Sequence, residues 1–375
     1  MRAAAWIAIG LLAAAGASAG DASSAHRGND REPIVIGHRG ASGFVPEHTL
    51  VSYYIAMQQG ADYVEPDLVS TKDGVLVARH ENEIGGTTNV SEHPEFVSRK
   101  KAKVIDGVSI EGWFTEDFTL AELKTLKAKE RIPSIRPDNA CFDGQFEVPT
   151  FDEIIELVEA VNESRALRAL KQGKRSPDPI GIYPETKHPT YFDSIGLSLA
   201  EPLVKALHRR GYTGKHSPVF IQSFEVGNLR QLSKMTRVPL VQLINSTGKP
   251  YDFVVAGDPR TYADLASAEG LKWIAKYADG VGVNKDLIIP RNPDGTLKTP
   301  TAVVKDAHAA GLIVHTWTMR AENTFLPTEF RIGSDPTAIG DMAAEARKFL
   351  QAGVDGFFTD QAVYGVLARD AFVAQ

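Results

Sequence analysis

The chain has 375 residues, 43% hydrophobic and 23% charged, enough to bury the core of one large α/β domain or two average ones. A net charge of −6 leaves no basic excess to neutralise a nucleic-acid backbone, so a nucleic-acid partner is not expected. The single cysteine, Cys141, rules out an intrachain disulfide, and its acidic, loop-like surroundings argue against a nucleophilic role.

Residues 1–19 read as a secretory signal peptide: Arg2 gives the positive start, Trp6 to Ala15 the apolar core, and Ala17-Ser18-Ala19 the small-residue cleavage pattern. The apolar run is too short to span a bilayer, so no stable membrane anchor is expected and the mature chain should be periplasmic or secreted. Residues 20–32 are polar and rich in Ala, Ser and Asp, as in a disordered leader.

From there eight short β-branched or apolar runs alternate with helical patterns. They are Ile34 to Ile36, Tyr63 to Glu65, Ile180 to Tyr183, Val219 to Ile221, Leu240 to Leu243, Gly280 to Val283, Leu312 to His315 and Gly356 to Phe358. Helical spacing recurs over 194–210, 227–235, 263–277, 300–310 and 338–352. This alternation predicts a (β/α)8 TIM-type barrel over residues 33–370. The connection after the second strand is too long for one crossover helix. It begins with a hairpin pattern over 69–77 with Asp73-Gly74 at the turn, continues through a loop-rich stretch over 82–112, and holds helices after Thr119 and Thr150. Glu122 and Glu153, each three residues on, complete the capping signature, with helices expected over 120–126 and 151–160. Residues 75–148 are accordingly read as a small inserted subdomain over the barrel mouth, with the basic run Arg99 to Lys103 in a solvated loop.

Chemistry-bearing residues gather at the ends of these runs. Side chains alternate along a strand, so Glu65 and Asp67 share a face. On a barrel strand that face points to the C-terminal mouth, where barrel enzymes do their chemistry. Two like charges there repel, and a divalent cation with oxygen ligands, Ca²⁺ or Mg²⁺, is the simplest remedy, with Glu185 closing the seat. The alternative is a structural pairing with arginine or lysine. His38 ends the first strand and His80 the hairpin; both can exchange protons near neutral pH. Arg39 offers a fork for phosphate oxygens, Gly40 allows close backbone approach, and Lys187 adds positive charge on the face of Glu185. Gln222 and Phe224, Trp317, His315 and Asn284 end later strands and are softer candidates for lining the mouth, while Lys285 reads as solvated.

The set His38-Arg39-Gly40, Pro46-Glu47-His48-Thr49, Glu65-x-Asp67, Thr71-Lys72-Asp73-Gly74 and His80 resembles the glycerophosphodiester phosphodiesterase family, most closely its larger periplasmic type. Glu185-Thr186-Lys187, Gln222-Ser223-Phe224, His315 to Thr318 and Gly356 to Asp360 extend the resemblance over almost all of the mature chain. The resemblance implies a small-molecule glycerophosphodiester substrate, cleaved to glycerol 3-phosphate and an alcohol with the help of one divalent cation. His38 and His80 would be the acid and base, Glu65, Asp67 and Glu185 the metal ligands, and Arg39 and Lys187 phosphate contacts, with Gln222 and Trp317 at the substrate. One departure is His48, where the family usually has Asn; it puts the fine geometry of the first loop in doubt. Two other readings remain: a phospholipase D-like enzyme acting on lysophospholipids, and a non-catalytic binding protein on the same fold. The first usually carries disulfides and the second should lack an acid, base or metal residue; this chain has neither feature. No motif specifies the alcohol group or an oligomeric state.

Overall fold

The computed structural model describes residues 32–375. The expected signal peptide and all but the last residue of the leader lie outside the described residues. The strands, in chain order, are β1 (Ile34–His38), β2 (Tyr63–Glu65), β3 (Asp67–Ser70), β4 (Leu76–Ala78), β5 (Lys101–Ile105), β6 (Val108–Gly112) and β7 (Gly181–Ile182). They continue with β8 (Glu185–Thr186), β9 (Ile221–Ser223), β10 (Leu240–Ile244), β11 (Gly280–Asn284), β12 (Ile313–Met319) and β13 (Gly356–Thr359).

Among the described residues, eleven of these form one curled sheet in the order β4-β3-β8-β9-β10-β11-β12-β13-β1-β2-β7. Every neighbouring pair is parallel except β3 with β4. The eight expected runs correspond to eight of the eleven strands; β3 and β4 form the expected hairpin, and β3 and β8 resume the second and third strands beyond the expected runs, after Pro66 and Pro184. Proline has no N–H to give a neighbouring strand, so the ladder breaks there and resumes. The α/β sheet is consistent with a TIM-type barrel.

Inside the sheet Ile36, Tyr183, Val241 and Phe358 pack with Tyr63, Phe220 and Trp317 as a mainly aromatic floor. The larger apolar layer lies between sheet and helices and includes Val35, Val64, Val281 and Val314 from the strands, with Ile154, Leu203, Leu229 and Phe349 from helices. Both expected capping boxes form, at Thr119 with Glu122 and at Thr150 with Glu153. The first of these helices is short, Leu120–Leu123, and the second runs on to Lys171. Its last turns expose Leu167 and Leu170, so apolar spacing no longer marks them, while Ala, Leu, Arg and Lys still favour helix. The helix expected over 263–277 is divided into Tyr262–Leu265 and Ala268–Ile274, since the Ser267 hydroxyl accepts from Gly270 N and starts a new helix.

The segment 82–112 is not simply loop. β5 and β6 form a separate antiparallel hairpin turned by Asp106-Gly107, whose φ angles of 47° and 81° suit a tight turn. The basic run lies largely on β5. Arg99 pairs with Glu122, Lys101 with Asp117, and Lys103 with Glu116 and Asp117, so these charges are partnered rather than simply solvated. No helix among the described residues is long and apolar enough to cross a membrane.

Candidate active site

Strand register assembles the site. Parallel pairing sets His38 beside Glu65, Asp67 beside Glu185, and Glu185 beside Gln222. Glu65, Asp67 and Glu185 are buried, and one carboxylate oxygen from each lies within 4.8 Å of the others. Glu65 accepts from Gln222 Nε2 at 2.7 Å and from Arg39 N at 3.1 Å. Lys187 Nζ is 3.0 Å from Glu185 Oε1.

Asp67 is held differently. His48 Nε2–H donates to its Oδ2 at 2.9 Å, while Tyr53 Oη stands 2.7 Å from His48 Nδ1 and fixes that tautomer. Asp67 Oδ1 is buried with no hydrogen-bond partner. His48 therefore does more than shape a loop: it turns one oxygen of Asp67 away and leaves the other free.

Burial, with Asp67 and Glu185 nearby, pushes the Glu65 carboxyl well up; burial, with Asp67, takes Glu185 up to about 8 against the pull of Lys187. Burial also acts to raise Asp67, but the charge and hydrogen bond of His48, with Lys187, outweigh it and hold Asp67 well below the usual range. Three crowded carboxylates and an unpartnered buried oxygen fit a hard divalent cation, since each donor is oxygen and negative charge is in excess.

The two histidines face the same cleft of about 220 Å³, which the three carboxylates, Arg39 and Gln222 also line. His38 Nδ1–H donates to Asp360 Oδ1 at 2.5 Å, and His38 Nε2 lies 3.8 Å from Glu65 Oε2. Asp360 Oδ2 accepts from Arg136 Nη2 at 2.5 Å and Arg320 Nε at 2.9 Å, and Arg136 is gripped in turn by Glu322. Burial and the charge of Arg39 lower His38 to about 4 despite Asp360. His80 Nδ1 is 2.8 Å from Glu81 Oε1, and its Nε2 is 3.4 Å from Lys187 Nζ. Burial, Arg39 and Lys187 lower it to about 3.

Arg39 has φ 60°, and its Nη1 donates to Glu47 Oε2 at 3.0 Å while its Nε stands 3.5 Å from Asp67. Gly40 follows at φ 87°; a Cβ there would meet the backbone carbonyl carbon of Ser52 at 2.6 Å and Tyr53 N at 2.7 Å, so only glycine fits.

The outer wall has Phe224, Leu243 and Trp317 with Asn284, Asp286 and Arg320. Trp317 stands edge-on to Phe224, and its Nε1–H donates to Gly282 O at 2.9 Å. Lys285 is not a solvated residue: it lines the cleft and its Nζ donates to the fully buried Glu345 at 2.8 Å. His315 is not at the mouth; it is buried in the floor, where its Nδ1 and the Tyr183 hydroxyl share a hydrogen bond of 2.8 Å.

The sequence reading gave no role to Asp360, Arg136, Arg320 or Glu47. Asp360 follows the end of β13, a strand-end position like those of the other candidates, and could have been found on that signal. Arg136 lies between Pro133 and Pro137 in a segment without regular pattern, and nothing local marks it.

The model of the glycerophosphoryl diester phosphodiesterase family matches residues 38–363, from His38 to beyond Asp360. A glycerophosphodiester phosphodiesterase of Arabidopsis thaliana is 37% identical over 340 residues, covering 88% of this chain and 83% of that one. One from Haemophilus influenzae is 30% identical over 381 residues, covering 94% and 95%. In fold, the chain is similar to a putative glycerophosphoryl diester phosphodiesterase of Silicibacter pomeroyi, with TM-score 0.63 at 19% identity over 92% of this chain and 96% of that one. It is also similar to an Oleispira antarctica phosphodiesterase solved in complex with the product sn-glycerol-3-phosphate, with TM-score 0.54 at 21% identity over 90% and 97%. With strand-end histidines, clustered carboxylates and a family match over nearly all of the described chain, the protein belongs to the glycerophosphoryl diester phosphodiesterase family and is a phosphoric diester hydrolase.

Proposed function

We propose that the chain hydrolyses glycerophosphodiesters to glycerol 3-phosphate and an alcohol by histidine acid–base catalysis at a carboxylate-bound divalent cation. The observation that carries this reading is the convergence of Glu65, Asp67 and Glu185 with both His38 and His80 on one cleft. The product held by the Oleispira relative supports the same substrate class. Glu65, Asp67 and Glu185 are the residues to hold Ca²⁺ or Mg²⁺. Such a cation, when bound, acts as a Lewis acid on a phosphoryl oxygen, worth several kcal/mol of charge stabilisation.

The chain's own groups do the rest. Arg39 and Lys187 bring positive charge to the nonbridging oxygens. His38, with its Nδ1–H committed to Asp360, offers the Nε2 lone pair to the attacking hydroxyl: that of water, which gives glycerol 3-phosphate directly, or that of the glycerol, which gives a cyclic phosphate that water then opens. His80 presents Nε2 to the departing alcohol oxygen and gives it a proton. In the free protein His80 is kept low by burial and by Arg39 and Lys187. An anionic diester between those two cations offsets their charge and raises its hold on a proton. Gln222 steadies Glu65, and Trp317 with Phe224 walls the substrate.

We read residues 33–370 as a (β/α)8 barrel with 75–148 as its inserted subdomain, and residues 1–19 as an export signal that takes the chain to the periplasm or beyond. Turnover of glycerophosphocholine against lysophosphatidylcholine tests the substrate class: preference for the first is expected, and preference for the second overturns it. His80→Ala should cost roughly 10²–10⁴-fold with choline as leaving group and less with nitrophenol. Equal losses contradict the leaving-group role.

A further inference from the structure

The two histidines of the cleft are held by carboxylates of unequal firmness. Asp360, behind His38, is buried and gripped by Arg136 and Arg320. Glu81, behind His80, has a side chain 43% exposed and no arginine or lysine within ion-pair distance. A glutamate so exposed has rotamers to spare, and holding it in one of them costs entropy.

What holds Glu81 is His188. This residue follows Lys187 directly and has φ 47° and ψ 46°, a left-handed conformation rare outside glycine. The bend turns its ring back towards the hairpin of β5 and β6. Its Nε2 lies 2.8 Å from Glu81 Oε2 and its Nδ1 lies 2.6 Å from Asp106 Oδ2. An ionised carboxylate only accepts hydrogen bonds, so both ring nitrogens carry hydrogen and the ring is an imidazolium. The charge balance agrees: although burial opposes it, hydrogen bonds donated to Asp106 and Glu81 raise His188 to about 9. Asp106 sits at the hairpin turn, itself at φ 47°. The result is a row, hydrogen-bonded from Asp106 through His188 to Glu81 and completed by the 2.8 Å ion-pair contact of Glu81 Oε1 with His80 Nδ1, with His80 Nε2 facing the cleft 3.4 Å from Lys187 Nζ.

We propose that His188 and Asp106 are positioning residues for His80: the hairpin turn, through the imidazolium of His188, locks Glu81 and with it the orientation and tautomer of the His80 ring. The inference rests on the reading of His80 as a proton donor, and it gives the β5–β6 hairpin a task in turnover. Neither residue touches the substrate.

The test uses the metal-loaded full chain with Asp106→Asn and His188→Asn, since asparagine tolerates the left-handed backbone at both positions. Each is combined with His80→Ala, and kcat and KM are measured on glycerophosphocholine and on a nitrophenyl glycerophosphodiester. Each single variant is expected to lower kcat on glycerophosphocholine about 10–100-fold, with KM within about 3-fold of the parent and a smaller loss on the nitrophenyl substrate. In the His80→Ala background neither should cost anything more. Unchanged kcat in both single variants, or the same fractional loss with and without His80, overturns the inference, because a merely structural effect would persist without the ring. If His80→Ala treats both leaving groups alike, the proton-donor reading fails, while non-additivity with Asp106→Asn still upholds the row. Asp106→Asn changes a single atom at the hairpin turn and carries the test even where His188→Asn does not fold.

Discussion

Replacing Asp360 by asparagine should silence His38 without dismantling the site. Asp360 uses both oxygens: one accepts from His38 Nδ1–H, the other from Arg136 and Arg320. Asparagine has one acceptor oxygen and one NH₂ group. Two guanidinium donors outweigh one imidazole, so the oxygen turns to the arginines and the NH₂ faces His38 Nδ1. That nitrogen must then accept, and the imidazole proton moves to Nε2, the atom that faces Glu65 and the cleft. A base with its lone pair on the wrong side cannot take a proton from the attacking hydroxyl. Loss of positioned acid–base transfer costs roughly 10²–10⁴ in rate. At about 1.36 kcal/mol per tenfold, that is about 2.7–5.4 kcal/mol of transition-state stabilisation. The fold should survive, because Arg136 keeps both contacts to Glu322. The assay is glycerol 3-phosphate release from glycerophosphocholine, read as kcat and KM beside a thermal unfolding curve. A variant within about 3-fold of the parent kcat, or one that loses activity only by unfolding, refutes the reasoning.

Asp67→Asn and His48→Ala should both weaken Ca²⁺ or Mg²⁺ binding in calorimetry, the first by removing a charged oxygen and the second, by about 10–100-fold, through loss of the bond that orients Asp67. Equal affinity in the parent and His48→Ala would remove His48 from any part in the cation seat. Arg79 is fully buried, and its guanidinium donates to the backbone carbonyls of Glu47, His48, Ala78 and Thr87. Arg79→Met leaves those carbonyls short of donors and should cost about 2–4 kcal/mol in urea unfolding. A loss under about 0.5 kcal/mol would contradict that accounting. His188 is raised from 6.5 to about 9 in the folded protein, so its contribution to stability is whole below pH 6.5 and lost as pH rises through 9. The difference in unfolding free energy between parent and His188→Asn should therefore shrink across that window; a difference that grows with pH would show the sign to be wrong.

Much of the site could be read from the chain because strand ends announce themselves. Glu65 and Asp67 sit two residues apart on an apolar run, and the alternation of side chains alone put both on one face, even with Pro66 dividing the strand. The hairpin that brings His80 to the cleft was marked by Asp73-Gly74. Residues that act through long-range contacts were harder to read. Asp360 lies 322 residues from the histidine it orients, and Arg136 reaches it from a coil with no periodicity. Lys285 was misjudged because its buried partner Glu345 lies 60 residues away on a helix, where no local pattern reveals the pairing. The β5–β6 hairpin escapes the sequence reading although Asp106-Gly107 sits at its turn, since neither strand buries a full face and Val104 and Val108 are exposed, so no apolar run marks it. His48 departs from the family pattern, and only packing reveals that its ring meets Asp67.

The most direct measurement is glycerol 3-phosphate release from glycerophosphocholine by the full chain, before and after chelation and again on adding Ca²⁺ or Mg²⁺, with Glu185→Gln in parallel. Turnover should vanish with the chelator and return with the cation in the parent, and should fail to return in Glu185→Gln. Turnover that persists under chelation would contradict a cation seat formed by Glu65, Asp67 and Glu185 beside the two histidines.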